Sequence, residues 1–327
     1  MGGGGIASNT ATTPDAIKQS IDDQTNEIAR AAAVAEPTYG SVSQLSGTSP
    51  NSHADVSRSD DGVYLISLPS AGGSNISLNT DENLYSSLPE IVIIDGVAVR
   101  PMVLYKDNGD SATFAGVYTG DIDNLGNWLA GGYWLHGTDL IGVQPDFEMG
   151  AFIDGPEIED DPDLPTGGSA EYSGEATGIY VGIAGTDHEY ASGSNILGEY
   201  TGDFIATANF ENGGGTLNGE VIITESFDYI ILVDSSTVET TNLVEGVRIS
   251  WSDVRFTENG QATGDVSVSI PGLDLVENEG KTGNKFSTET DSEGNPRLLA
   301  GTHGGSIRSA GGTEAGYIGV HIGVTGE

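Results

Sequence analysis

Cysteine is absent from this chain of 327 residues, and basic residues are scarce, with 11 Lys and Arg against 49 Asp and Glu. The lack of cysteine excludes a disulfide scaffold, a thiol nucleophile, a zinc–cysteine site and an iron–sulfur cluster. The formal net charge of -38 argues against a nucleic-acid partner, because such binding requires a positive surface. No apolar run approaches the roughly 18 residues of a membrane-spanning helix. These absences leave an acidic protein long enough for one large or two small domains.

The acidity comes from missing Lys and Arg, since charged residues make up only 18% of the chain. One interpretation is a surface that stays soluble through self-repulsion, as in secreted or saline settings. The other is attraction of a basic partner or a cation. The densest acidic cluster is the candidate site for such binding, and it comprises Glu157, Glu159, Asp160, Asp161 and Asp163.

Residues 1–61 are predicted to be a flexible tether that contains one helix. Their Gly, Ser, Thr and Asn content is typical of linkers. Within them, residues 14–36 carry an apolar stripe that includes Ile17, Ile21 and Ile28, and this spacing predicts a helix. The stripe can pack on the body of the protein or pair with another copy or partner.

From residue 62 onward the apolar residues alternate with period two, in about fifteen short segments separated by turn residues. Residues 91–94 and 97–105 flank an Asp-Gly pair and predict a hairpin. Pro101, in its second strand, indicates a sheet edge or a bulge. The pattern predicts an all-β antiparallel sandwich or barrel.

Glycine occurs inside these segments as well as between them, as at Gly116, Gly178 and Gly319. Such a glycine marks a bend, a bulge or a close backbone approach, and closure of a small barrel needs strong coiling. An acidic, proline-containing loop at 156–168 then divides the body. We therefore expect a first β-sheet region at 62–155 and a barrel at 156–327.

Several Gly-rich segments together resemble transferrin-binding protein B-like surface lipoproteins. The matching segments are GAFIDGP (150–156), GSAEYSGEATGIY (168–180), FIATANF (204–210), GTLNGEV (215–221), PRLLAGT (296–302) and GYIGVH (316–321). The resemblance implies an antiparallel up-and-down barrel of about eight strands beside a smaller β handle sheet. It also implies a lipidated N-terminal Cys, attachment to the outer membrane, and capture of a ligand such as transferrin, haemoglobin, haem or a complement regulator.

Two features bear on that comparison. Met1 precedes Gly2–Gly5 where the family has its lipidated Cys followed by glycines. The transferrin binders have two handle–barrel units, but only one fits in this chain, which argues against transferrin itself.

The histidines offer candidate haem ligands but no local metal pair, because no two are separated by three or four residues. His136 and His188 lie near predicted strand ends, and either could bind haem. His303 and His321 fall in or beside strands, where a barrel-lining or surface role is expected. A calcium-loop pattern begins at 121–126 but fails at its third ligand position, so isolated Ca²⁺ binding stays open.

The chain carries no Gly-x-Ser-x-Gly elbow and no Gly-rich phosphate loop between a strand and a helix, so no enzyme is predicted. The sequence predicts a non-enzymatic bacterial lipoprotein, on the cell surface or secreted. It would bind a solute or protein ligand through exposed loops, in the manner of iron or haem acquisition. The alternative is an extracellular structural or adhesive subunit that self-assembles through its N-terminal helix and sheet edges.

Overall fold

A computed structural model describes residues 55–59, 62–68, 75–87, 92–94, 97–107, 109, 111–122, 127–138, 146–155, 158, 161–187, 192, 195–231, 240–242 and 246–325. The predicted helix at 14–36 lies outside these residues. Within the described ranges, no helix combines the length and the apolar character needed to cross a membrane.

The first sheet has three antiparallel strands. They are β1 (Asp55–Arg58), β2 (Tyr64–Leu68) and β3 (Ile76–Asn79), in that order. β1 lies in the segment predicted to be tether, but its residues pair with β2 along their whole length. Ile66, Leu68 and Leu78 are fully buried and form the core of this sheet together with residues of the second sheet.

The second sheet has six strands. They are β4 (Leu84–Ser87), β5 (Val92–Ile94), β6 (Val97–Asp107), β7 (Ser111–Ile122), β8 (Asn127–Thr138) and β9 (Asp146–Asp154). The predicted hairpin is confirmed, because Ile94 pairs with Val97. Pro101 lies within β6 at the point where its pairing with β5 has ended at Val99 and its pairing with β4 begins at Met102. A residue without an N–H therefore falls at the break between two partner strands.

The remaining strands form a closed antiparallel barrel of eight strands with two short additions. They are β10 (Gly167–Ile183), β11 (Asn195–Glu211), β12 (Gly214–Ile231), β13 (Thr240–Asn242), β14 (Arg248–Thr257), β15 (Gln261–Asp265), β16 (Ser267–Ser269), β17 (Leu275–Phe286), β18 (Leu298–Ser309) and β19 (Glu314–Thr325). Pairing runs through β10, β11, β12, β14, β15, β17, β18 and β19, and β19 returns to β10. The predicted all-β fold with a barrel and a smaller sheet is confirmed.

The second sheet packs on the outside of the barrel. Leu129 of β8 contacts a cluster formed by Leu298, Ala300 and Val324 of β18 and β19. The opposite face of β18 carries residues such as Leu299 that point into the barrel. β18 is therefore buried on both faces, which explains why its sequence lacks the usual alternation of apolar and polar residues.

A bulge in β14 changes which residues face inward. Ile249 and Trp251 are buried in the barrel, and the next inward residue is Val254 rather than residue 253. Asp253 has a φ of 54°, and its backbone N–H donates to Asn218 Oδ1 at 2.9 Å. Because of this one inserted residue, the inward-facing positions after the bulge are Val254 and Phe256.

Candidate functional site

Aromatic side chains fill one end of the barrel. Phe210, Phe256 and Phe286 pack with ring centroids 5.0 to 5.8 Å apart, and the tilted ring of Tyr172 lies 5.7 Å from that of Phe286. Leu164, from the loop before β10, packs against the same core. We call this end, which is filled by aromatic side chains, the closed end.

The opposite end of the barrel contains a cavity of about 340 Å³. Its walls are mainly aliphatic side chains of five strands and their loops, among them Ile223, Val247, Ile249, Val268, Ile270 and Ile307. Tyr200 and Tyr317 also line it, and both side chains are more than nine-tenths buried. The Tyr317 hydroxyl has no hydrogen-bond partner among the described residues.

Among the described residues that line this cavity, Asp187 is the one carboxylate. It follows β10, and its oxygens accept hydrogen bonds from Thr313 Oγ1 at 2.7 Å and from the Gly311 N–H at 3.1 Å. Hydrogen bonds from the side chains of Ser309 and Thr313 lower the pKa of Asp187 to about 2. The exposed Asp187 is therefore a fixed negative charge, held by the β18–β19 turn.

A chain of polar side chains crosses the barrel interior between the closed end and the cavity. Tyr200 Oη lies 2.6 Å from His303 Nε2, and His303 Nδ1 lies 3.1 Å from His321 Nδ1. His321 Nε2 lies 2.8 Å from Asn284 Oδ1. All four side chains are almost completely buried.

The proton positions along this row of polar side chains follow from Asn284, which lies at its acceptor end. Asn284 Oδ1 can only accept, so His321 must carry its proton on Nε2 and accept at Nδ1. His303 must then donate from Nδ1 and accept at Nε2, and the donor there is the Tyr200 hydroxyl. Asn284 Nδ2 donates onward to Thr282 Oγ1 at 3.2 Å. Each hydrogen bond is therefore donated in the same direction, from Tyr200 toward Thr282.

Both imidazoles are neutral in this arrangement, and their burial also favours the neutral form. Burial lowers the pKa of His303 to about 3. Burial, with a smaller contribution from His303, lowers the pKa of His321 well below its ordinary value. Burial also raises the pKa of Tyr200 well above its usual range, so its hydroxyl keeps its proton. A neutral, fully ordered chain is the form that a low-dielectric interior favours.

Interior glycines make room for this chain. An added Cβ at Gly178 or Gly319 would collide with the Tyr200 side chain at its hydroxyl end. Gly319 also lies beside His303 Nε2. The prediction that these glycines mark close approaches is confirmed. The groups that approach them include side chains of neighbouring strands.

The ring of His321 packs among two further aromatic rings. Its centroid lies 4.5 Å from that of Phe204 and 5.0 Å from that of Trp251. Trp251 Nε1 is buried and has no hydrogen-bond partner among the described residues. These rings fix the orientation of His321 and link the polar chain to the closed end.

The described candidates from the sequence lie away from the cavity. His136 is on β8 of the second sheet, where it is buried and its Nδ1 lies 2.8 Å from Thr113 Oγ1. Asp161 forms an ion pair of 3.3 Å with the largely buried Lys285 near the closed end, and Asp163 is exposed in the same loop. Glu157, Glu159, Asp160 and His188 lie outside the described residues.

The sequence predicts that His303 and His321 lie in or beside strands, and the structure shows that both line the barrel interior. The positions of Tyr200, Tyr317 and Asp187 at the cavity depend on barrel closure and have no signal in the sequence. A weak signal existed for the two histidines, because His303 and His321 each have glycines two residues before and after them on the same strand face. No group of three or more His, Asp or Glu that could hold a metal ion occurs in the described part of the chain.

Comparison of the chain with models of protein families gave no match. Comparison with curated proteins also gave no match. The resemblance to transferrin-binding protein B-like lipoproteins therefore stays a prediction from the residues quoted above.

Proposed function

We propose that this protein is a non-enzymatic solute-binding protein that holds one small, mainly apolar molecule inside its barrel. The observation that carries the proposal is the cavity of about 340 Å³ opposite the closed end. Its volume lies near the lower limit of small-molecule pockets, which span roughly 300 to 1,000 Å³. An eight-stranded barrel is also the size that can enclose one small ligand.

The lining residues favour an apolar ligand. Aliphatic side chains form most of the wall, so water inside the cavity would find few hydrogen-bond partners there. Transfer of an apolar molecule from water into such a pocket is favourable in proportion to the area removed from water. Binding inside the barrel differs from the binding through exposed loops that we expected from the sequence.

We place the protein on the cell surface or outside the cell, as a lipoprotein or a secreted form. The support is the resemblance described above, the absence of cysteine and the strong negative charge. Binding of a solute there is compatible with nutrient capture. Radiolabelled palmitate incorporation and protease accessibility, measured on cells that express the full natural reading frame, test this placement.

Binding is tested by titrating the protein with phenylnaphthylamine, a neutral apolar dye that fluoresces in apolar surroundings. We expect saturable binding of one dye per chain. Ala315 lines the cavity, so Ala315→Leu fills part of it and should weaken binding by about tenfold. Ala310 is exposed at the same end of the barrel and does not line the cavity, so Ala310→Leu is the matched control.

Dye binding that is equal in the two variants would refute a site inside the cavity. Thermal unfolding of each variant shows whether it has kept its fold. A dye that fails to bind the folded wild-type protein would refute the proposed function.

A further inference from the structure

The described wall of the cavity is mainly apolar and carries one formal charge. Among its described lining residues, Asp187 is the only ionised group, and none is Lys, Arg or His. Its carboxylate is held by Thr313 and by the backbone of Gly311. The Ser309 side chain also hydrogen-bonds this carboxylate. Asp187 is exposed, and its negative charge attracts a positively charged head group without needing a free acceptor position.

The loops fix Asp187 in place at the cavity. Thr313 Oγ1 accepts a hydrogen bond from the Gly185 N–H at 2.9 Å while it donates to Asp187. The Thr186 N–H donates to the Gly311 carbonyl at 2.8 Å. The two loops therefore brace each other. Positioning the carboxylate does not require a ligand, which lowers the cost of ordering on binding.

The overall charge of the protein adds to the preference for a positive head group. An anionic head group would instead be repelled by Asp187 and by a chain with a net charge of -38. Charge complementarity thus distinguishes between amphiphiles that have the same apolar body.

We propose that the ligand is a small amphiphile whose apolar body fills the cavity and whose positively charged head contacts Asp187. This inference rests on the proposed function, since it specifies the chemical class of the solute. It excludes fatty acids and other molecules with an anionic head as preferred ligands.

Three probes with the same eight-carbon chain test the inference: octyltrimethylammonium, octanol and octanoate. Each is used to displace bound phenylnaphthylamine from the full chain at neutral pH and low salt. We expect octyltrimethylammonium to displace the dye at a concentration at least about fivefold lower than octanoate, with octanol between them. The difference should shrink at high salt, because salt screens exposed charges.

Substitution separates the local carboxylate from the overall charge of the protein. Asp187→Asn keeps an acceptor for Thr313 but removes the charge, and should reduce the preference for octyltrimethylammonium over octanoate to about twofold or less. Asp274 is exposed near the same end of the barrel and does not line the cavity. Asp274→Asn removes the same charge from the chain and should leave the preference unchanged.

The inference is overturned if octanoate displaces the dye as well as octyltrimethylammonium does. It is also overturned if Asp187→Asn and Asp274→Asn have equal effects, or if the preference is insensitive to salt. In each of these outcomes the dye and octanol still bind, so the proposed function would stand. Failure of the dye to bind at all would instead refute the proposed function.

Discussion

His303 and His321 face each other through their Nδ1 atoms, 3.1 Å apart, inside a closed barrel. Because Asn284 fixes the proton of His321 on Nε2, only one arrangement of neutral tautomers satisfies every contact from Tyr200 to Asn284. The chain forms a specific polar layer beneath the apolar cavity. Its integrity should matter for stability, since each group in it would be costly to leave without a partner.

Removal of the acceptor end should destabilise the protein. Asn284→Leu leaves the His321 Nε2–H without its acceptor, and we expect a loss of about 1 to 3 kcal/mol in the free energy of unfolding. Asn209→Leu, at an exposed position of β11, should change it by less than about 0.5 kcal/mol. Urea denaturation measures both. Equal effects of the two substitutions would show that the polar chain does not contribute.

The contribution of His303 to stability should fall as the pH is lowered below 6.5. The pKa of His303 is lowered from 6.5 to about 3 in the folded protein, so between these values the unfolded chain binds more protons. The contribution of neutral His303 is therefore complete above pH 6.5 and is lost progressively as the pH falls toward 3.

The variant His303→Gln isolates this effect. Its unfolding free energy should depend less steeply on pH between 6 and 4, by up to about 1.4 kcal/mol per pH unit for the one proton removed. Tyr200→Phe removes the hydrogen bond to His303 but keeps both histidines, and should retain most of the wild-type slope. An unchanged slope in His303→Gln would contradict the account.

A methyl group at Gly319 should disturb the polar chain. The Cβ of Gly319→Ala would overlap the Tyr200 hydroxyl and the Thr177 carbonyl, and relieving the overlap should cost about 1 to 3 kcal/mol or more. Gly167→Ala is the control, because its Cβ would meet only the Phe210 carbonyl oxygen at 4.0 Å. Thermal unfolding compares the two, and a Gly319→Ala variant as stable as Gly167→Ala would disprove the packing argument.

Neighbouring leucines on opposite faces of β18 should be equally important. Leu299 is buried in the barrel, and Leu298 is buried between the barrel and the second sheet. Leu298→Ala and Leu299→Ala should each cost about 2 to 5 kcal/mol. A cost below about 1 kcal/mol for Leu298→Ala alone would mean that the second sheet does not cover this face in solution.

The local features of this fold could be predicted from sequence. The period-two pattern indicates β-strands, the Asp-Gly pair indicates the hairpin between β5 and β6, and interior glycines indicate barrel coiling. Each of these signals depends on residues close together in the chain. The bulge at Asp253 has no such signal, because its inserted residue is apparent only from the pairing with β12.

The candidate site could not be predicted in the same way. Tyr200 and His303 are separated by 103 positions in the chain and meet only because the barrel closes. Asp187 and Thr313 meet because β10 pairs with β19. The acidic loop was conspicuous in the sequence, but its residue Asp161 pairs with Lys285 away from the cavity. Charge density alone therefore did not locate the cavity.

Isoleucine-methyl NMR of the wild-type protein with added octanol tests the central claim most directly. Ile223, Ile249, Ile270 and Ile307 line the cavity, whereas Ile205 is 46% exposed on the outside of the barrel and Ile66 lies in the first sheet. We predict saturable shifts of the four cavity methyls, with Ile205 and Ile66 unchanged. Shifts confined to Ile205, or no shifts at all, would contradict binding inside the barrel.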